Sequence, residues 1–159
     1  WFDGNAEEAA AFYVSVFPDS RITTITRYGA DGQEVHGRPP GSVMTVVFEL
    51  CGQGFTALNG GPGFPFTQAV SFVVACDTQA EIDSYWERLT AGGGQPIACG
   101  WLKDRFGLSW QVVPAMLVDL VRDPVRGGGA LRALWGMIKP DVAAIARAAG
   151  PARGEPGAA

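Results

Sequence analysis

A chain of 159 residues, 47% apolar and 18% charged, can build one domain with a full core or two small fused modules, and its composition is not that of a disordered chain. A net charge of −4 and a pI near 4.9 leave no basic surface to follow a phosphate backbone, which excludes nucleic acid as the expected partner. No apolar run approaches the ~20 residues of a membrane span, and the three cysteines (Cys51, Cys76 and Cys99) read as small reduced thiols of a cytoplasmic protein.

Trp1 opens the chain with neither an initiator methionine nor a charged-then-apolar leader, which reads as a start a few residues inside the native protein. Asn5 to Phe17 is expected to be helical: Asn5 caps, Glu7 and Glu8 sit in the first turn, and Ala9, Phe12, Tyr13, Val16 and Phe17 recur at helical spacing. Pro18-Asp19 ends it. Arg21 to Tyr28 alternates and is rich in Ile and Thr, as a strand would be. Gly29 to Gly41 reads as a polar loop. Val43 to Leu50 is a second strand, and Gly52-Gln53-Gly54 turns it into a third over Phe55 to Leu58.

A similar order follows. Ala69 to Ala75 is β-rich, and Thr78-Gln79-Ala80-Glu81 has the form of a capping box. Ile82, Tyr85, Trp86 and Leu89 mark the buried face of the helix it opens, which Gly92-Gly93-Gly94 closes. Strands are expected around Pro96 to Leu102 and Leu108 to Val113. Asp3-Gly4-Asn5-Ala6-Glu7 matches Asp77-Thr78-Gln79-Ala80-Glu81, and Gly54-Phe55-Thr56 falls opposite Gly107-Leu108-Ser109. Agreement in element order as well as residues points to duplication of a β-α-β-β-β unit, the first copy lacking half its opening strand at Trp1. Three short helices are expected after Pro114, over Ala115 to Val121, Ala130 to Ile138 and Val142 to Ala148, with a loose tail over Gly150 to Ala159.

In Asp104-Arg105-Phe106-Gly107-Leu108-Ser109-Trp110-Gln111-Val112-Val113-Pro114, strand alternation puts Leu108, Trp110 and Val112 on one face and Ser109, Gln111 and Val113 on the other. An amide in an otherwise apolar strand needs partners or a cavity, because an unpaired buried one costs ~1–3 kcal/mol. Gln111 is therefore the first candidate contact. The polar supply around it is Asn59, Asp104 and Ser109, and the aromatic supply is Phe55, Phe64-Pro65-Phe66, Trp101 and Trp110.

Paired β-α-β-β-β units resemble the glyoxalase/bleomycin-resistance (vicinal oxygen chelate) superfamily. Within it the chain resembles the PhnB-like group, labelled 3-demethylubiquinone-9 3-methyltransferase-like. The resemblance rests on Trp1-Phe2-Asp3-Gly4-Asn5-Ala6-Glu7-Glu8-Ala9, Pro40-Gly41-Ser42-Val43-Met44-Thr45, Ala57-Leu58-Asn59-Gly60-Gly61-Pro62, and Cys99-Gly100-Trp101-Leu102-Lys103-Asp104 continued through Gln111. It implies an α+β fold, with a glyoxalase-like domain over 1–121 made of modules 1–60 and 68–114. C-terminal helices over 122–149 and a flexible tail over 150–159 complete the expected organisation. It also implies a homodimer and a cup-shaped cavity.

Metal-dependent relatives carry a ligand Glu in a pattern like Asp-x-x-Gly-x-x-x-Glu; here it reads Asp104-x-x-Gly107-x-x-x-Gln111, an amide in place of the carboxylate. Divalent-metal centres gather three or four His, Asp, Glu or Cys donors. The one histidine, His36, falls in the polar loop and reads as a solvated imidazole, and Glu49 is either a lone cup carboxylate or a surface group. No metal and no cofactor are expected. Asn59-Gly60-Gly61-Pro62-Gly63 follows a strand but runs into Phe64-Pro65-Phe66 rather than a helix, so it is no nucleotide cradle. Cys99 has no histidine near it in sequence and reads as packed.

The expectation is a metal-free protein holding a small apolar or aromatic ligand through Asn59, Phe66, Trp101, Ser109 and Gln111. The alternatives are a metal-dependent isomerase, lyase or dioxygenase with ligands before Trp1, or a methyltransferase in keeping with the group's label. Whether the chain is an enzyme is left open by its sequence.

Overall fold

The computed structural model describes residues 1–151, and the proposed tail lies mostly outside them. The chain divides into two compact units, Trp1–Phe66 and a second beginning at Thr67.

In the first unit, α1 (Ala6–Val16) precedes β1 (Arg21–Arg27), a single helical turn α2 (Gln33–His36), β2 (Val43–Leu50) and β3 (Gln53–Leu58). The strands pair antiparallel in the order β1-β2-β3, and Phe2 adds an isolated parallel bridge to Asn59 beyond β3. The helix buries Ala6, Ala9, Ala10, Tyr13 and Val16, and it packs chiefly on β2. Val46, Phe48 and Leu50 form the buried face of β2, matching the strand's two-residue period. Tyr13 stacks on Phe48 at 6.2 Å and Phe48 on its cross-strand partner Phe55 at 5.5 Å.

Four expectations change here. Asn5 stands at the N-cap but makes no side-chain cap bond; Asn59 Oδ1 takes the Ala6 N–H instead, at 2.9 Å. The β2–β3 hairpin closes through Cys51-Gly52, with φ of 48° and 81°, so β3 starts at Gln53 rather than Phe55. Positive φ at both loop positions suits the twist of a two-residue hairpin. The 29–41 loop contains α2, bounded by left-handed Gly32 and Gly37. His36 is half-buried rather than solvated: its ring lies 4.5 Å from that of Tyr28, and Nδ1 accepts from the Arg38 N–H at 3.0 Å.

The second unit runs β4 (Ser71–Cys76), α3 (Gln79–Thr90), β5 (Gln95–Pro96), β6 (Trp101–Lys103), β7 (Ser109–Pro114), then α4 (Met116–Arg122), α5 (Gly127–Trp135) and α6 (Val142–Ala149). Its sheet order is β4-β7-β6-β5, with β4 parallel to β7 and the other pairs antiparallel. The opening strand thus lies beside the last one, as the Phe2 bridge lies beside the end of β3. Both units share one β-α-β-β-β order, as the duplicated sequence led us to expect.

The capping box forms reciprocally: Thr78 Oγ1 accepts from Glu81 N at 3.2 Å, and Glu81 Oε2 accepts from Thr78 N at 3.1 Å. Ile82, Trp86 and Leu89 are the buried residues of α3, which packs on β6 and β7. The strand expected over Pro96 to Leu102 is interrupted. Cys99 and Gly100 turn with φ of 62° and 81°, and their N–H groups leave the sheet to bond Met137 O and Ile138 O at 2.8 and 3.0 Å. The C-terminal helices enclose a second core of Val113, Leu117, Leu120, Ala130, Leu134, Ile145 and Ala149, against which Cys99 packs. No described helix is long and apolar enough to cross a membrane.

Candidate functional site

The start of β7 is fixed by Asp104. This carboxylate is 2% exposed; Oδ1 accepts from Phe106 N at 2.9 Å and Leu108 N at 3.0 Å, and Oδ2 from Trp110 Nε1 at 2.8 Å. An acidic side chain bonding backbone two and four residues on holds a tight turn, and left-handed Gly107, φ 92°, completes it. Asp104 therefore orients Trp110 toward the buried side of the strand. Gln111, the next residue, must point the other way.

Register then decides what shares a face with Gln111. It stands opposite Trp101 of β6 and Val73 of β4, while Ser109 stands opposite Lys103 and Ser71. Directly opposed residues project from the same side of a sheet, so Ser71, Val73, Trp101, Lys103, Ser109 and Gln111 form one patch three strands wide. The opposite face carries Leu102, Trp110 and Val112, all buried. The patch is open in part: Val73 is 59% exposed, and Trp101, Lys103 and Gln111 are half-buried.

Gln111 Nε2 donates to Ser71 Oγ at 2.9 Å, and among the described residues nothing donates to its Oε1. Ser109 Oγ is sealed from solvent and has no hydrogen-bond partner among the described residues. Trp101, Ser109 and Gln111, all expected from sequence, are thus brought together. Sequence reading missed Lys103 and Val73 as their neighbours. Alternation alone would have found Lys103, two residues beyond Trp101; Val73 needed the β4–β7 register.

Asn59 and Phe66 belong to the first unit. Asn59 is 4% exposed, with Oδ1 on Ala6 N and Nδ2 donating to Val43 O at 3.0 Å. Its amide joins the start of α1 to the start of β2. Phe66 is half-buried and meets Phe2 edge-on at 5.3 Å. Trp1 lies over Gly60 where a Cβ would overlap the indole, and Trp1 Nε1 donates to Gly61 O at 2.7 Å. That glycine turn seats a side chain of the chain itself. Glu49 pairs with Arg21 at 2.8 Å across β1 and β2.

Among the described residues no three His, Cys, Asp or Glu side chains gather as metal donors would. Burial, reinforced by the nearby Glu81 and Asp77 carboxylates, pushes the Cys76 thiol up to about 11, which leaves it protonated at neutral pH. A cavity of about 320 Å³ within the C-terminal helices is lined by Met116, Asp119, Leu120, Asp123, Arg126 and Ala146. Two of its polar groups serve helix ends: Asp123 Oδ1 accepts from Val125 N and Arg126 N, and Arg126 Nε donates to Gly150 O.

A family model described as 3-demethylubiquinone-9 3-methyltransferase matches residues 1–113. A PhnB protein from Bacillus cereus that carries the same methyltransferase label is 35% identical in sequence. The match covers 70% of this chain and 93% of that one, with a TM-score of 0.61. Protein PA1353 from Pseudomonas aeruginosa shares the fold at 19% identity, over 71% of this chain and 92% of its own, with a TM-score of 0.54. No curated protein matches the chain.

Proposed function

The chain belongs to the PhnB-like 3-demethylubiquinone-9 3-methyltransferase family, and from that premise we propose that it binds a small apolar or aromatic molecule on the open face of its second sheet, without a metal. The observation that carries this reading is Gln111. Its amide is anchored through Nε2 to Ser71 while Oε1 is left to accept, between the half-buried Trp101 and the exposed Val73. Apolar walls with one or two fixed polar points are the usual make-up of a small-molecule site. Ser109 lies on the same face. Phe66 supplies apolar surface in the first unit, where the Asn59 amide bonds the backbone at Ala6 and Val43.

Calorimetric titration with 2-naphthol tests it. Saturable binding is expected, weakened about five- to tenfold in Gln111→Leu, the worth of one neutral hydrogen bond, and unchanged by EDTA. Binding that vanishes on chelation and returns with a divalent cation would overturn the metal-free reading and favour a metal-dependent isomerase, lyase or dioxygenase.

The family label keeps methyl transfer as a second reading. Its cofactor would be S-adenosylmethionine, which needs a cradle; the glycine turn at 60–63 is occupied by Trp1 at Gly60 and Gly61. No saturable heat is expected from that cofactor at millimolar concentration. The family resemblance supports a homodimer, to be checked by sedimentation. The three cysteines, all free, support a reducing, cytoplasmic setting.

A further inference from the structure

Lys103 is the only ionisable group at the six positions of the patch, and among the described residues no carboxylate reaches it within ion-pair distance. It is half-buried, directly opposite the sealed Ser109 hydroxyl and two residues along β6 from Trp101. Same-face residues two apart on a strand lie ~6.5–7 Å apart, and diagonal cross-strand neighbours ~7–8 Å. The cation and the free Gln111 acceptor are such a diagonal pair, with the Trp101 indole beside both. Gln111 stands between Trp101 and Val73 in one row across the sheet, with Lys103 beside the Trp101 end, an arrangement that fits a planar molecule of one or two rings carrying a negative charge at one end.

From this juxtaposition we propose that the ligand is an aromatic acid. Its carboxylate pairs with Lys103 and its ring lies along Trp101 and Val73. A ring substituent able to donate a hydrogen bond would meet Gln111 Oε1. The inference rests on the binding reading above and adds charge to it. An unpartnered, half-buried lysine beside an indole is otherwise unexplained by the fold: it caps no helix, pairs with no acid and bonds no backbone carbonyl among the described residues. A half-buried ammonium attracts an anion more strongly than a fully hydrated one, because less of its field is screened.

The test compares 6-hydroxy-2-naphthoate, which keeps the hydroxyl that donates to Gln111, with 2-naphthol by calorimetry on the full chain. Naphthoate is expected to bind on the order of tenfold more tightly, the scale of a charge-assisted bond, and added salt should weaken naphthoate alone. Lys103→Met should abolish the difference, and Lys103→Arg should retain most of it. Equal affinity for the two probes, or naphthoate binding indifferent to Lys103→Met, overturns the charge assignment and leaves the binding reading standing. Absence of saturable binding by either probe overturns both.

Discussion

Ser109, Asp104 and Asn59 are the buried polar residues among those described, and their environments differ sharply. Asp104 holds three donors and Asn59 both accepts and donates, so the loss of either would strand backbone groups. Ser109 Oγ holds none, and a buried hydroxyl without a partner costs ~1–3 kcal/mol. Ser109→Ala should therefore raise stability by about 1 kcal/mol after the loss of a few dispersion contacts, read as a higher urea midpoint at unchanged m-value. A lower midpoint would mean that the hydroxyl has a partner in solution. The sequence makes Asp104 legible as a turn residue because Phe106, Leu108 and Trp110, which donate to its carboxylate, lie two, four and six positions on. The role of Asn59 is not legible, since it caps a helix 53 positions away. Local chemistry can be read from neighbours; a cap delivered by a distant strand end cannot.

At the scale of elements, the same distinction separates α3 from α5. The capping box of α3 is written in four consecutive residues and forms as read. The helix expected over Ala130 to Ile138 leaves Gly127-Gly128-Gly129 outside it, and glycine weakens helices by ~1 kcal/mol relative to alanine. The run is instead the first turn of α5. The reason is close approach: a Cβ on Gly129 would overlap Ala148 O of α6, and one on Gly127 would come within 2.6 Å of Leu120 O, while Gly128 faces open space. Tertiary packing overrides propensity at two of the three positions. Gly128→Ala is then expected to stabilise by up to about 1 kcal/mol. Gly129→Ala should destabilise by about 1–3 kcal/mol as the α5–α6 contact is forced apart. Thermal unfolding of the two variants separates them by sign, and equal shifts would refute the close-approach account.

At the scale of the whole molecule, duplication made the order of elements legible before any coordinate, yet the two copies are not equally closed. In the second unit β7 pairs with β4 along its whole length and with β6 over Ser109 to Gln111, and Val112 N bonds Gly100 O just beyond. In the first, β3 is flanked by β2 on one side and on the other by the single bridge from Phe2, whose N–H bonds Leu58 O at 2.8 Å. Asn59 N donates toward β2, to Met44 O. By alternation Ala57 and Phe55 donate the same way, while the N–H groups of Gly54, Thr56 and Leu58 turn outward. Exposed strand edges are local openings in an otherwise cooperative fold and invite pairing by another chain. Amide exchange followed by NMR should accordingly show alternating protection along β3 of this 159-residue chain, fast at Gly54 and Thr56 and slow at Phe55 and Ala57, against uniform protection from Trp110 to Val113. Slow exchange at Gly54 and Thr56 would instead mean that the edge is covered in solution. Loss of that protection on dilution would identify the cover as a second copy of the chain.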